Sequence, residues 1–499
     1  MTNDNNQSQL PEDETNEVTS KNSGQYFGGD TGATKLIDKI LEEEIELFHS
    51  KERTPYARYK VNGRIYTSPL QSESFKQYLQ DLLFRITKIP PTKYYKDQIL
   101  DTLVSKAVYD GETHEVHLRS AWCGDVLYYD LGSAGVVKVS SDGWQVERQG
   151  EVYFRNFQHQ SDQCVPVEGG NLDEIFQFLN ISNENIKTLL KAYLVTVLIP
   201  DIPRPMLAIH GAQGSAKSTT LRFLKSLIDP SEVDLLSFPR KMEELIQQLS
   251  HQYLVCYDNM SKISEEQSDT LARAVTGNSF TKRKLFTDDE DFVYRFRRAV
   301  ALNGINLVAT KPDLLDRALI IELKRVSDEG RIPERDLWSR FEEVKPRLLG
   351  AMFTALSKAM KVNSEEIELS DSYVPRLADH YEWCKRVMVA LELNPNDYAI
   401  AYRSNMDIQN EEAIESSALA QVIVQLMNDE EEIKKTPSDL LIEIKIQAGA
   451  LALDTGTGIP RSCEWLWKRM RQIEVTLSNV GIGIERTRER GRMIRIFKI

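Results

Sequence analysis

Lys217 and Ser218 close the run Gly211-Ala212-Gln213-Gly214-Ser215-Ala216-Lys217-Ser218-Thr219, which fits the phosphate-loop pattern G-x-x-x-x-G-K-[ST] at every fixed position except Ala216. In such a loop the backbone N–H groups and the N-terminus of the following helix converge on a phosphate chain. The lysine neutralises the β and γ phosphates, and the hydroxyl ligates Mg²⁺. Glycine at the second fixed position permits positive φ. Alanine serves there if the residue already begins the helix with near-helical torsions, and that is the expectation for Ala216. The chemistry implied is binding of ATP, with Mg²⁺ as cofactor.

Three further strand-associated positions, Asp258, Asn303 and Arg317, extend that chemistry, and a neighbour of the first, Asn259, bears on it. Asp258 ends the apolar run Leu254-Val255-Cys256-Tyr257, about forty residues after the loop, where Mg²⁺ needs a carboxylate at the end of a neighbouring strand. Asn259 stands next, where hydrolysing relatives of such loops usually place a second carboxylate that activates water. Asn303 ends another apolar strand, and a side-chain amide there can hold the attacking water or the γ-phosphate. Arg317 begins the strand after that, a place from which an arginine acts on a neighbouring subunit's nucleotide. Each of the three is common alone. Their order and spacing after a phosphate loop are not.

Those residues need a scaffold, and the sequence provides one. Pro200–Pro205 breaks the chain before MLAIH, a short apolar strand, and the loop is followed by the helical pattern TTLRFLKSLI. Strand, glycine-rich turn and helix in that order predict an α/β nucleotide-binding core.

The 499 residues are too many for one core and predict several folded units of ~100–200 residues each. Hydrophobic and charged fractions of 41% and 27% are those of a globular protein. Residues 1–30 carry almost nothing apolar and lack a signal-peptide pattern, so a disordered tail is expected. No apolar run approaches the ~18–20 residues that cross a bilayer, which excludes a membrane partner and predicts a cytoplasmic protein. Five scattered cysteines predict reduced thiols. The net charge of −13 argues against a surface that coats nucleic acid throughout, but it leaves room for a local basic channel.

From Met206 to Leu323 the chain resembles the ATPase core of superfamily 3 helicases, the AAA+ branch used by viruses, phages and plasmids, in the primase-helicase type. GAQGSAKST matches motif A, CYDN motif B, Leu271–Phe296 the intermediate motif, ALNG the sensor, and LLDR the arginine finger. The resemblance implies a ring, expected to be a homo-hexamer, with ATP bound between subunits. It also implies that the intermediate hairpin grips single-stranded DNA in the pore. Lys282, Arg283 and Lys284 on that hairpin suit phosphate contact. The acidic turn Thr287–Asp291 that follows leaves open that they pair with it instead. No primase signature is present in the first two hundred residues, so priming is expected from a separate primase or replication protein.

The expected organisation is an α/β module over 31–165, a helical collar over 166–200, the ATPase core over 201–330, a helical lid region over 331–430 interrupted at Pro346, Pro375 and Pro395, and a winged helix over 431–499, with Asn428–Asp439 as a charged linker. In the last unit Trp465, Leu466, Met470, Ile473 and Leu477 form the expected buried face. Lys468, Arg469 and Arg471, with Arg486, Arg488, Arg490 and Arg492 on the wing, form a basic surface suited to duplex DNA. Winged helices also bind proteins. The leading expectation is an ATP-dependent helicase or translocase in the replication of a mobile or viral element. The alternatives are a slow, nucleotide-gated assembly or sensing protein and a remodeller of protein partners.

Overall fold

A computed structural model of the chain describes residues 30–43, 45–261, 263–277, 279–283, 291–307, 311–327, 331–369, 374–453, 458–487 and 492–499, and it leaves the side chains of 30–35, 279–283 and 291–295 undescribed. Of the expected tail at 1–30, residues 1–29 lie outside these residues and Asp30 begins a helix. The fold is mixed α/β and divides into two units, one comprising residues 1–118 with 149–158 and the other 119–148 with 159–499. The expected module over 31–165 is therefore split. Its central antiparallel sheet, strands 120–123, 126–132, 135–140 and 143–147, belongs to the larger unit. The reason is packing: Tyr129 sets its ring 5.3 Å from Phe353, and Trp144 donates from Nε1 to Thr354 Oγ1 at 2.9 Å.

In the smaller unit Pro55–Val61 and Arg64–Pro69 form a hairpin whose turn, Asn62-Gly63, takes φ of 50° and 84°, the torsions that make Asn-Gly a hairpin signal. Helices Glu73–Thr87 and Lys93–Tyr109 cover the sheet with Phe75, Leu79, Leu82, Leu83, Ile99 and Leu103. Asp30–Glu42 is helical, and Glu46–His49 pairs as a strand with 55–58.

The larger unit is organised on a parallel sheet in the order 254–260, 299–304, 206–210, 318–322. Its strands are apolar and buried on both faces, as parallel strands covered by helices must be. The helix after the phosphate loop, Lys217–Ile228, buries Leu221, Phe223, Leu224, Leu227 and Ile228 against it. Its far end is fixed by a buried ionic cluster in which Asp229 accepts from Arg119 Nε at 3.0 Å and Lys225 Nζ at 2.8 Å. Burial alone would raise the Asp229 carboxyl, but the two cations hold it at about 2.

The edge strand 318–322 is closed by a helix rather than by another strand. Asn405 and Gln409, buried on one face of Pro395–Glu415, exchange hydrogen bonds with its backbone: Asn405 Nδ2 to Ile320 O at 2.7 Å, Ile320 N to Asn405 Oδ1 at 3.1 Å, and Gln409 Nε2 to Ala318 O at 2.7 Å. Two amides four residues apart thus satisfy an edge that would otherwise invite pairing. The expected break at Pro346 does not occur. Glu334–Lys361 is one helix through it, held by buried Phe341, Leu348, Leu349 and Phe353 on either side and by Val167 N donating to Pro346 O at 2.9 Å.

The C-terminal part has helices 418–427, 437–450, 463–472 and 474–479 and a three-stranded sheet. Glu432–Lys435, expected in a linker, is its third strand, pairing with Met493–Lys498, which in turn pairs with Ile482–Thr487. Buried Ile433 and the Arg495 pairs with Glu432 and Glu485 account for the difference, since a charged strand is stable at this edge when its charges alternate with the partner's. Helix 437–450 is capped by Thr436, whose Oγ1 accepts from Asp439 N at 3.2 Å.

Candidate functional site

The phosphate loop leaves the buried strand Met206–His210 and turns on two glycines. Gly211 has φ 146°, and a Cβ there would meet Leu323 O at 2.2 Å, so no other residue fits. Gly214 has φ 80°. The turn is braced from outside by Asn180, whose Nδ2 donates to Ser215 O at 3.2 Å and Lys324 O at 2.5 Å, and by Val326 N donating to Gly214 O at 3.1 Å. Ala216 departs from expectation. It is not the first helical residue but the helix cap, in the left-handed region at φ 65°, ψ 28°. Its carbonyl still accepts the first helical bond, from Thr220 N at 2.9 Å, so the methyl group is carried at a torsional cost rather than avoided.

Lys217 folds back over the loop, with Nζ donating to Gly211 O at 2.8 Å and Ala212 O at 3.0 Å. Burial lowers its ammonium below the ordinary lysine value, opposed by the charge of Asp258. Ser218 on the first helical turn donates from Oγ to Asp258 Oδ1 at 2.7 Å. Asn303 Nδ2 donates to the same oxygen at 2.7 Å, and Asn303 Oδ1 accepts from Asn259 N at 2.8 Å. One continuous hydrogen-bonded chain therefore joins the loop helix, the carboxylate strand and the sensor strand at one end of the sheet. Gln213, Ser215 and Thr219 are carried by the same turn and first helical residues. Such a set offers a lysine, a hydroxyl and a carboxylate to a triphosphate and its Mg²⁺, and an amide to a water.

Asn259 also has positive φ, 52°, at a bulge where pairing with the sensor strand shifts between Tyr257 and Met260. Asparagine tolerates that region better than most residues. The bulge turns its side chain outward, into a cleft that it lines with Asp258, Arg222, Arg240 and Gln267.

Arg317 is not part of this cluster. It precedes the strand paired with the loop strand, and Ala318 lies beside Met206. The loop begins at the other end of that strand, roughly 15 Å away at ~3.3 Å per residue. Its guanidinium is bound to Asp313, with Nη1 2.6 Å from Oδ1, and its side chain is 11% exposed. A second arginine, Arg376, which no local pattern in the sequence marks, reaches the same Asp313 oxygen at 2.8 Å.

Ser279–Arg283 and Asp291–Arg295 pair as an antiparallel hairpin, with Lys282 opposite Phe292 and Arg283 opposite Asp291. Lys284 and residues 287–290 of the expected acidic turn lie outside the described residues, while Asp291, the last of that turn, opens the second strand. In the C-terminal part Lys468, Arg469 and Arg471 are exposed, while Arg488 and Arg490 lie outside the described residues. The expected buried face is corrected at two positions. Leu466, Met470 and Leu477 are buried, but Trp465 is 53% exposed with Lys468 Nζ 4.6 Å from its ring centroid, and Ile473 caps a break between two short helices. Among the described residues no helix is long and apolar enough to cross a membrane.

No curated protein matches the sequence. Among solved structures, the apo C-terminal region of NrS-1 is similar over 94% of this chain and 100% of its own, at 12% identity and a TM-score of 0.44. The SCCmec type IV Cch structure, described as an active helicase, is similar over 91% and 93%, at 10% identity and a TM-score of 0.44. Residues 172–412 match the family of the actinomycete integrative conjugative element replication protein, and residues 419–499 match that protein's C-terminal domain. The two matches run consecutively and span most of the chain. Over residues 172–412 and 419–499, then, the chain is similar to the replication-protein family of actinomycete integrative conjugative elements.

Proposed function

We propose that the protein is a ring-forming, ATP-dependent DNA helicase or translocase of the superfamily 3, AAA+ type that serves replication of a conjugative element. The observation that carries this reading is the hydrogen-bonded chain Ser218–Asp258–Asn303–Asn259, which brings together residues from three separate motifs at the mouth of the phosphate loop. Residues 211–219 would hold the triphosphate, with Ser218 and Asp258 holding Mg²⁺, whose charge neutralises the phosphates. Within the chain's own machinery, Lys217 exchanges its loop carbonyls for phosphate oxygens. Asn303 positions water while accepting from the Asn259 backbone. Arg317 lies too far from its own loop to serve it, so in this reading it serves the loop of the next subunit in a homo-hexamer. The hairpin with Lys282, Arg283 and Lys284 faces single-stranded DNA. The C-terminal unit, with Lys468, Arg469, Arg471, Arg488 and Arg490, is a winged helix on duplex DNA, and priming comes from another protein.

The test is the ATPase rate with and without single-stranded DNA, on full-length material whose ring size has been measured by mass. DNA-stimulated hydrolysis by a ring is expected. Absence of hydrolysis under both conditions refutes the motor.

A second reading rests on Asn259. An exposed amide in a bulge, where a second carboxylate would activate water, suits a slow ATPase that uses nucleotide to gate assembly or sensing. Hydrolysis that is slow and indifferent to DNA, together with nucleotide-dependent ring closure, favours it.

A further inference from the structure

Two arginines converge on one carboxylate at the end of the sheet remote from the phosphate loop. Arg317 Nη1 lies 2.6 Å from Asp313 Oδ1 and also donates to the Asp313 carbonyl. Arg376 Nη2 lies 2.8 Å from the same Oδ1, and its Nη1 donates to Asp316 Oδ2 at 3.1 Å. They differ in access. The Arg317 side chain is 11% exposed and its Nε is buried with no hydrogen-bond partner, whereas the Arg376 side chain is 45% exposed. Burial would raise the Asp313 carboxyl, but the Arg317 hydrogen bond and the charges of both arginines hold it below the ordinary range.

As it stands, Arg317 is committed to its own chain. To reach a phosphate it must leave Asp313, whose side chain is 53% exposed and is then taken up by water. Arg376 is held by the same carboxylate and is released in the same way. It comes from the segment entering helix Ala378–Ala390, sixty positions beyond the motifs, and it presents a second planar fork on the same face.

We propose that Arg376 acts together with Arg317 on the nucleotide of the neighbouring subunit, and that Asp313 is the positioning residue that holds the pair until phosphate oxygens replace it. This rests on the reading of Arg317 as a residue acting between subunits. The reaction is unchanged: water oxygen bonds to the γ-phosphorus, the bond to the β–γ bridging oxygen breaks with its electron pair going to ADP, and the water proton leaves with inorganic phosphate or to solvent. Both arginines donate hydrogen bonds to the phosphate oxygens and keep their protons.

The experiment uses full-length R317A, R376A, R376K, K217A and the K217A/R376A double variant, each measured alone and in equal mixtures for kcat and KM, with thermal unfolding checked in parallel. R376A alone should lose roughly tenfold or more in kcat, below the full effect of an arginine finger. Adding K217A should restore activity, because a mixed interface then joins an intact loop to intact arginines. The double variant should not restore it, and R376K should keep only part of the rate, since a lysine lacks the fork. An R376A kcat within about twofold of wild type overturns the proposal. So does a loss that K217A fails to rescue while the same K217A rescues R317A, because the role is then structural. If K217A rescues neither, the interface reading of Arg317 fails and this proposal fails with it.

Discussion

Replacing Ala216 with glycine should stabilise the protein. Ala216 holds φ 65°, ψ 28° at the cap of the loop helix, a conformation that costs an L-residue roughly 1–2 kcal/mol. Glycine removes that cost but adds freedom to the unfolded chain worth roughly 0.4–1 kcal/mol. The net expectation is a gain of about 0.5–1 kcal/mol, or a rise of roughly 1–3 °C in the unfolding midpoint for a unit of this size. The sign is diagnostic. Were Ala216 the first residue of the helix in right-handed torsions, glycine would instead destabilise by up to about 1 kcal/mol. Paired urea and thermal unfolding of wild type and A216G reads the difference directly. The bond from Thr220 N to Ala216 O is made by backbone and survives the change, so nucleotide affinity should move little. A216G that unfolds more easily than wild type would refute the left-handed cap and the reasoning built on it.

Three other expectations concern separate parts of the molecule. Asn259→Glu should raise the hydrolysis rate if a second carboxylate is what the site lacks. It should also lower stability by about 1 kcal/mol, because glutamate tolerates φ 52° less well than asparagine; an unchanged ATPase rate argues against the missing-base explanation. Burial, reinforced by the charge of Arg204, pushes His380 down to about 3, so the unfolded state, near 6.5, binds the proton first. Stability from this group is complete above about pH 6.5 and is lost toward pH 3 by at most ~1.4 kcal/mol per pH unit, and H380Q should flatten that slope; equal slopes in the two proteins would contradict it. Trp465→Ala should weaken duplex DNA binding a few-fold, since it removes the ring that holds the Lys468 ammonium, a contact worth roughly 0.5–1 kcal/mol, with no loss of fold; unchanged binding in a titration would remove this helix face from the interface.

The residues of the loop, Asp258 and Asn303 were legible because their chemistry is written locally: an apolar strand, then a polar residue at its end. What brings them into one hydrogen-bonded chain is sheet order, with the sensor strand between the other two, and no local pattern carries that. The torsion of Ala216 was misjudged because the motif places the residue next to the helix without saying on which side of its boundary it falls. Arg376 could not be found beside Arg317, since only the folded chain places Asp313 between them. The same holds for Trp465, whose helical spacing suits a core but whose neighbours bury Leu466 and Met470 instead, and for Glu432–Lys435, which is charged like a linker yet completes a sheet. Pro346 is the converse case, a local signal for a break that surrounding packing overrides.

The helix Pro395–Glu415 ends at the joint Ser416-Ser417, immediately before helix Ala418–Met427 of the C-terminal unit, and Asn479 of that unit donates to its Asn410 at 2.9 Å. Asn405 and Gln409 fix the same helix to the strand that Arg317 precedes, so one helix is tied at two points, to the parallel sheet and to the C-terminal part. In the ring proposed above, a small displacement of that strand would pass along this helix to the C-terminal part. Softening the two amide anchors should therefore uncouple what happens at the nucleotide from what happens at the far end of the chain, while leaving each end intact.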